Sequence, residues 1–176
     1  FLYSLDDLPG ELLLLILSRL SLEDLACVEQ TSRRCRSAVY DALSLKHSLN
    51  LMPYTGGKLS SNQLSVFLTW IFTRIGQCSS ATQSAPLLQS LDVSCRDFDA
   101  EEEENSSDCW HSHCLTLIRQ ARLSCLATLR MRCFHFDNNA ALATEGSLFA
   151  SMPLLSEVDL PDSSVDDAGV AALFEQ

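Results

Sequence analysis

Three segments of the chain carry one pattern: Leu88-x-x-Leu91-x-Val93, Leu126-x-x-Leu129-x-Met131 and Leu155-x-x-Val158-x-Leu160. A recurring period constrains a fold more than any single residue, because each copy must take the same local structure and stack on its neighbour. Alternation turns Leu91 with Val93, Leu129 with Met131, and Val158 with Leu160 to one side, as in a short strand. Parallel strands need a long return path, and a helix is the usual one. Trp110, Cys114, Leu117, Ile118 and Ala121 share a helical face after Asp108 and fit that role. Leu49-x-Leu51 reads as a divergent earlier copy. Pro53 to Gly57 is a turn by composition. Ser60 or Ser61 then caps a helix whose Leu64, Phe67, Leu68, Ile71, Phe72 and Ile75 recur at three and four. Gly76 is expected to end that helix, and Gln77 to Ala85 reads as a polar loop.

The N-terminal stretch Leu5 to Asp41 follows a different rule. It reads as three short helices. Pro9 suits a first helical turn, where its missing N–H is no loss. Asp6 and Asp7 place negative charge at the positive helix end. Leu12, Leu13, Ile16, Leu17 and Leu20 form one broad stripe, with Leu14 and Leu15 outside it. A helix apolar nearly all round is either buried on every side or waits for a partner. Ser21, with Asp24 three residues on, predicts the cap of the second helix. Thr31 or Ser32 starts the third, which carries Arg33, Arg34 and Arg36. A unit of roughly 40 residues rarely buries enough surface to fold firmly alone.

The residues of this stretch resemble the F-box motif. Leu8-Pro9, Glu11-Leu12-Leu13, Ile16-Leu17-Ser18, Leu20 and Asp24-Leu25 stand in its order and spacing. Cys35 occupies the place of the Trp usual near its end. The run Val165-Asp166-Asp167-Ala168-Gly169-Val170-Ala171-Ala172-Leu173 is similar to the turn and helix of the cysteine-containing leucine-rich repeat. Together the resemblances imply an α/β chain: an F-box over residues 5–45, then a partial leucine-rich-repeat solenoid over 46–176. An acidic insertion at 97–108 has no apolar residue to anchor its Ala100 to Asp108 core and is expected to be a disordered loop. The chain begins at Phe1 and stops at Gln176 soon after an apolar run, so it reads as a fragment.

By that resemblance the chain is the substrate receptor of a cullin-based, SCF-type ubiquitin ligase. Its F-box would dock to a Skp-type adaptor and through it a cullin, and its repeats would hold a protein substrate. The adaptor contacts implied are Leu8, Pro9, Leu12, Ile16, Leu20 and Leu25. Outward strand positions form an acidic, basic and acidic stripe: Asp92 and Ser94, Arg130 and Arg132, Glu157 and Asp159. Of these, Asp92, Arg130, Arg132 and Asp159 are the candidate substrate contacts. The alternative is an interaction scaffold in which the F-box-like segment caps the solenoid and has no ligase role.

Composition narrows the function further. The formal net charge is −11, opposite in sign to that of a phosphate-tracking nucleic-acid binder. The apolar run Glu11 to Leu17 is far too short to cross a bilayer. The 8 cysteines are scattered among apolar residues and read as reduced, which points to cytoplasm or nucleus. Cys109, His111, His113 and Cys114, with Cys125, Cys133 and His135 downstream, hold zinc-type ligands. Cys114 and Trp110 lie on the apolar stripe, so packing accounts for them better than a metal. No glycine-rich phosphate loop or nucleophile elbow occurs. The expectation is a non-enzymatic adaptor without cofactor or metal.

Overall fold

The computed structural model describes residues 5–57, 59–81, 87–95, 107–134 and 148–164. A 3₁₀ turn at Leu5–Asp7 leads into three helices: α1 (Gly10–Leu17), α2 (Leu22–Glu29) and α3 (Arg33–Ser44). Then come β1 (Ser48–Asn50), α4 (Met52–Thr55), α5 (Ser61–Ala81), β2 (Ser90–Asp92), α6 (Ser107–Gln120) and β3 (Thr128–Arg130). A second 3₁₀ turn, Leu148–Ser151, precedes β4 (Glu157–Asp159). The chain is therefore helical at its N-terminus and α/β beyond. No helix among the described residues is long and apolar enough to cross a membrane.

Local chemistry sets the helix ends. Ser21 caps α2: its hydroxyl accepts from the Asp24 N–H at 3.1 Å and donates to the Asp24 carboxylate at 2.7 Å. Ser32, not Thr31, caps α3 by accepting from the Cys35 N–H. Ser60 and Gln63 form a reciprocal capping box at α5. Pro9 falls one position earlier than expected. It is the N-cap of α1, with extended ψ, and the helix starts at Gly10. Pro53 lies inside the first turn of α4, so the stretch read as a turn is a single helical turn followed by Gly56 and Gly57.

The four strands are parallel and ordered β1-β2-β3-β4. Their register makes one row of Leu49, Leu91, Leu129 and Val158. The sequence copies thus align residue for residue, and Leu49 joins them. Beyond the strands the ladder continues at the same offset: Leu51, Val93 and Met131 donate to the carbonyls of Asp92, Arg130 and Asp159. Cys133 and Asp162, each two residues past the last apolar position of its copy, both take positive φ, 53° and 56°. Leu88, Leu91, Val93, Leu126, Leu129 and Met131 are buried, whereas Leu155, Val158 and Leu160 at the β4 edge are only partly covered.

Helix α6 buries Trp110, Cys114, Leu117 and Ile118, as expected, and also His111 and Leu115; Ala121, just past its end, is buried too. Its first turn takes in Ser107 and Asp108, which the sequence reading had assigned to the acidic loop; 96–106 lie outside the described residues. So do His135 and Val165 to Leu173. Helix α5 passes through Gly76 and continues to Ala81. Gly76 serves packing instead of termination: a Cβ there would stand 3.4 Å from the Ala121 Cα. A methyl there would make ordinary van der Waals contact, and a larger side chain would press on the end of α6.

The N-terminal helices share one apolar core with the sheet half. Helices α1 and α2 pack on α3, and α3 packs on α5. Glu29 at the end of α2 is buried. It accepts from Trp70 Nε1 and Arg74 Nη2 of α5, each at 2.6 Å. The Arg74 guanidinium lies 5.0 Å from the Tyr40 ring centre.

Three stability outcomes follow from these contacts. Gly76→Ala should be neutral or stabilising by up to about 1 kcal/mol, since helix propensity improves and one methyl fits. Gly76→Ile should cost about 1–3 kcal/mol by forcing α5 from α6. Glu29→Ala should cost about 2–4 kcal/mol, because the Arg74 charge and Trp70 N–H lose their acceptor. Denaturant titration with both tryptophans as probes measures all three.

Candidate docking face and strand surface

Helix α1 divides its apolar residues by spacing. Leu13 and Leu17, one turn apart, face α3 and are buried. Leu14 is half-buried against the core. Leu12, Leu15 and Ile16 point the other way and are 49%, 56% and 42% exposed. Leu5 in the preceding turn and Pro9 are exposed beside them in sequence. The stripe read from sequence therefore mixes two faces. Leu12 and Ile16 belong to the outer one, and Leu15 joins them.

The remaining expected contacts vary in access. Leu8 and Leu20 are half-buried and pack against the core. The Leu8 carbonyl accepts from Arg34 Nη2 of α3, which ties the entry of α1 to the third helix. Leu25 is completely buried. A side chain with no exposed surface packs the bundle and does not contact a partner, so the expected contact at Leu25 is corrected. Cys35 is likewise a buried core residue of α3.

Residues 5–52 match the F-box-like family model. The matched F-box-like domain spans α1, α2, α3 and β1 and ends at Met52. Its outer α1 face is the part of the domain that exposes contiguous leucine and isoleucine. No curated protein matches the chain.

On the sheet, Asn50, Asp92, Arg130 and Asp159 stand in one row across the four strands. The row runs acidic, basic and acidic, and both of its arginines are ion-paired. Arg130 Nε lies 3.7 Å from Asp159 and Arg132 Nη2 lies 3.1 Å from Asp162; all four side chains are about half exposed. Asp92 accepts from the Ser94 N–H at 2.9 Å and shapes its own turn. Ser94 does not face outward as expected. It is buried, its hydroxyl accepts from the Arg132 N–H, and its carbonyl accepts from Thr55. Exposed ion pairs of this kind contribute little and are screened by salt.

Of the α6 candidates, the side chains of His111, His113 and Cys114 do not converge; that of Cys109 lies outside the described residues. His111 is buried between Trp110 and Phe134, with ring centres 4.0 and 4.3 Å away. His113 turns to α5 and hydrogen-bonds Thr69 Oγ1 at 2.9 Å. Cys114 is fully buried in the core. Among the described residues no group of three or more His, Cys, Asp or Glu side chains is placed to hold a metal.

Burial pushes the Cys114 thiol up from 9.0 to about 12. The folded chain keeps this thiol neutral while the unfolded chain ionises it above pH 9. Stability is therefore intact below pH 9 and falls as pH rises toward 12. Between pH 8 and 10 the loss from this group is about 1.4 kcal/mol. Cys114→Ala should remove that part of the alkaline loss, measured as the wild-type minus variant difference at both pH values.

Proposed function

We propose that the chain is the substrate-recognition subunit of an SCF-type ubiquitin ligase. The F-box-like domain docks to a Skp-type adaptor, which bridges to a cullin. The four-stranded half is a leucine-rich-repeat solenoid and holds a protein substrate. The chain contributes no catalytic group to ubiquitin transfer. It raises the effective concentration of substrate near the transferring enzyme. Its working place is the cytoplasm or nucleus.

One observation carries the reading: the outer face of α1, with Leu12, Leu15 and Ile16 about half exposed in a domain that matches the F-box-like family. Folding alone uses Leu13 and Leu17. The outer leucines are best explained by a partner surface, because apolar side chains gain free energy on leaving water. The in-register row Leu49, Leu91, Leu129 and Val158 supports the repeat reading.

A second reading keeps support from the junction. Helix α3 covers α5, and Glu29 bonds Trp70 and Arg74. That is what an end cap of a solenoid would do. Co-purification with a Skp-type adaptor at micromolar concentration separates the two readings, since a cap has no reason to retain it.

Leu12→Glu combined with Ile16→Glu tests the ligase reading directly. Both positions are solvent-facing, so folding should change by less than about 1 kcal/mol. Capture of a Skp-type adaptor should weaken at least about 100-fold, the scale of central interface anchors. Capture at wild-type strength would refute the proposal. Leu8→Asp is a poorer test, because Leu8 also packs against the core.

A further inference from the structure

A cleft of about 680 Å³ opens between α2 and α5. No α1 residue and no sheet residue lines it, so it is separate from both surfaces above. Its volume lies within the range of small-ligand sites, roughly 300–1,000 Å³. One wall is aromatic. Tyr54 and Phe67 have ring centres 4.6 Å apart, and Phe67 and Trp70 5.9 Å apart. Val66, 71% exposed, also lines the cleft.

The polar side of the cleft carries two carboxylates, Glu23 and Glu29, and two guanidiniums, Arg36 and Arg74. Glu29 is buried and accepts at 2.6 Å from both the Trp70 N–H and Arg74. Glu23 sits in the first turn of α2, where the helix dipole favours a carboxylate. Arg36 differs from both. Its Nε stands 3.8 Å from Glu29, beyond hydrogen-bond length, and its side chain is 53% exposed. Arg74 holds Glu29 closely and Arg36 pairs with it only loosely, so Arg36 is the more exposed and less tightly held of the two guanidiniums lining the cleft. A guanidinium binds carboxylates through paired N–H donors.

We propose that this cleft is a binding site for a small organic carboxylate bearing an aromatic ring. The ring stacks on the Tyr54, Phe67 and Trp70 wall, and the carboxylate takes the Arg36 guanidinium. Trp70 reports occupancy, because its indole N–H is fixed on Glu29 while its ring faces the cleft. The proposal does not depend on the ligase reading.

The test uses the full ¹⁵N-labelled chain and 2-naphthoate as probe. The chain has 2 Trp, so two indole N–H resonances are expected. Trp110, which does not line the cleft, is the internal control. Saturable displacement of the Trp70 signal with Trp110 unmoved is the expected result. The neutral isostere 2-naphthylmethanol should bind about three- to tenfold more weakly, the range for a partly exposed charge-assisted hydrogen bond. Arg36→Gln should bring naphthoate down to the level of the alcohol, and Arg36→Lys should restore part of the difference. Circular dichroism and the Trp110 signal verify that both variants are folded. An unmoved Trp70 signal up to the solubility limit of the probe overturns the proposal. So does equal binding of acid and alcohol, or undiminished acid binding by Arg36→Gln.

Discussion

A strand of three residues cannot hold itself. Each of β1 to β4 has one inward residue and a few backbone hydrogen bonds, too little to offset the entropy of ordering it. What makes the strands stable is the common register. Leu49, Leu91, Leu129 and Val158 lie side by side, so each buried leucine is a wall for the next. Coverage follows neighbours: Leu91 and Leu129, flanked on both sides, are fully buried, while Val158 at the edge is not. The backbone repeats the same bond at each step, from Leu51, Val93 and Met131 to the strand alongside. Displacement of one strand by a residue would turn its leucine outward and its charged neighbours inward.

The F-box-like domain depends on that stack in the same way. Its three helices are too few to enclose a core of their own. Helix α3 supplies the missing wall by lying on α5, and its last turn runs almost directly into β1. The Ser44 carbonyl accepts from Leu87, and the His47 carbonyl accepts from Gln89 and Ser90, so the end of the helical unit is bonded to the approach of β2. Glu29 adds a directional contact. A buried carboxylate is costly unless it is paired, and here the Trp70 N–H and the Arg74 guanidinium each bond one of its oxygens. Such a group adds little net stability over an apolar substitute, but it accepts only one orientation of α2 against α5.

Much of this was legible in the sequence, and the misses share a cause. Period and register could be read because Leu91, Leu129 and Val158 answer to a rule of spacing. Caps at Ser21, Ser32 and Ser60 could be read because side-chain chemistry acts within three residues. Gly76 was misread as a stop. The same residue also suits a helix contact, and only the position of Ala121, forty-five residues on, distinguishes the two roles. Ser94 was expected to face outward, and Leu25 to contact a partner, for a similar reason, since burial depends on what packs over a residue from elsewhere in the chain. In α1 every turn carries leucine, so periodicity could not separate Leu13 and Leu17 from Leu12, Leu15 and Ile16. The cleft between α2 and α5 left no local signal at all. Glu29, Arg36 and Trp70 are brought together by tertiary packing across forty residues, and each alone reads as an ordinary helix residue.

The rigid junction bears on how an adaptor of this shape would work. A flexible tether between a docking unit and a recognition unit spreads the held partner over a large volume, and effective concentration falls with that volume. Here no flexible tether separates them. The outer face of α1 reaches the strands through α3 and α5, all within one apolar core. The direction in which the strand face points is thereby fixed relative to α1. Loosening Glu29 would therefore do more than lower stability: it would free α2 against α5 and blur that direction while leaving Leu12, Leu15 and Ile16 in place. On the proposed ligase reading, geometry at the junction would then bear on proximity alongside affinity at either surface.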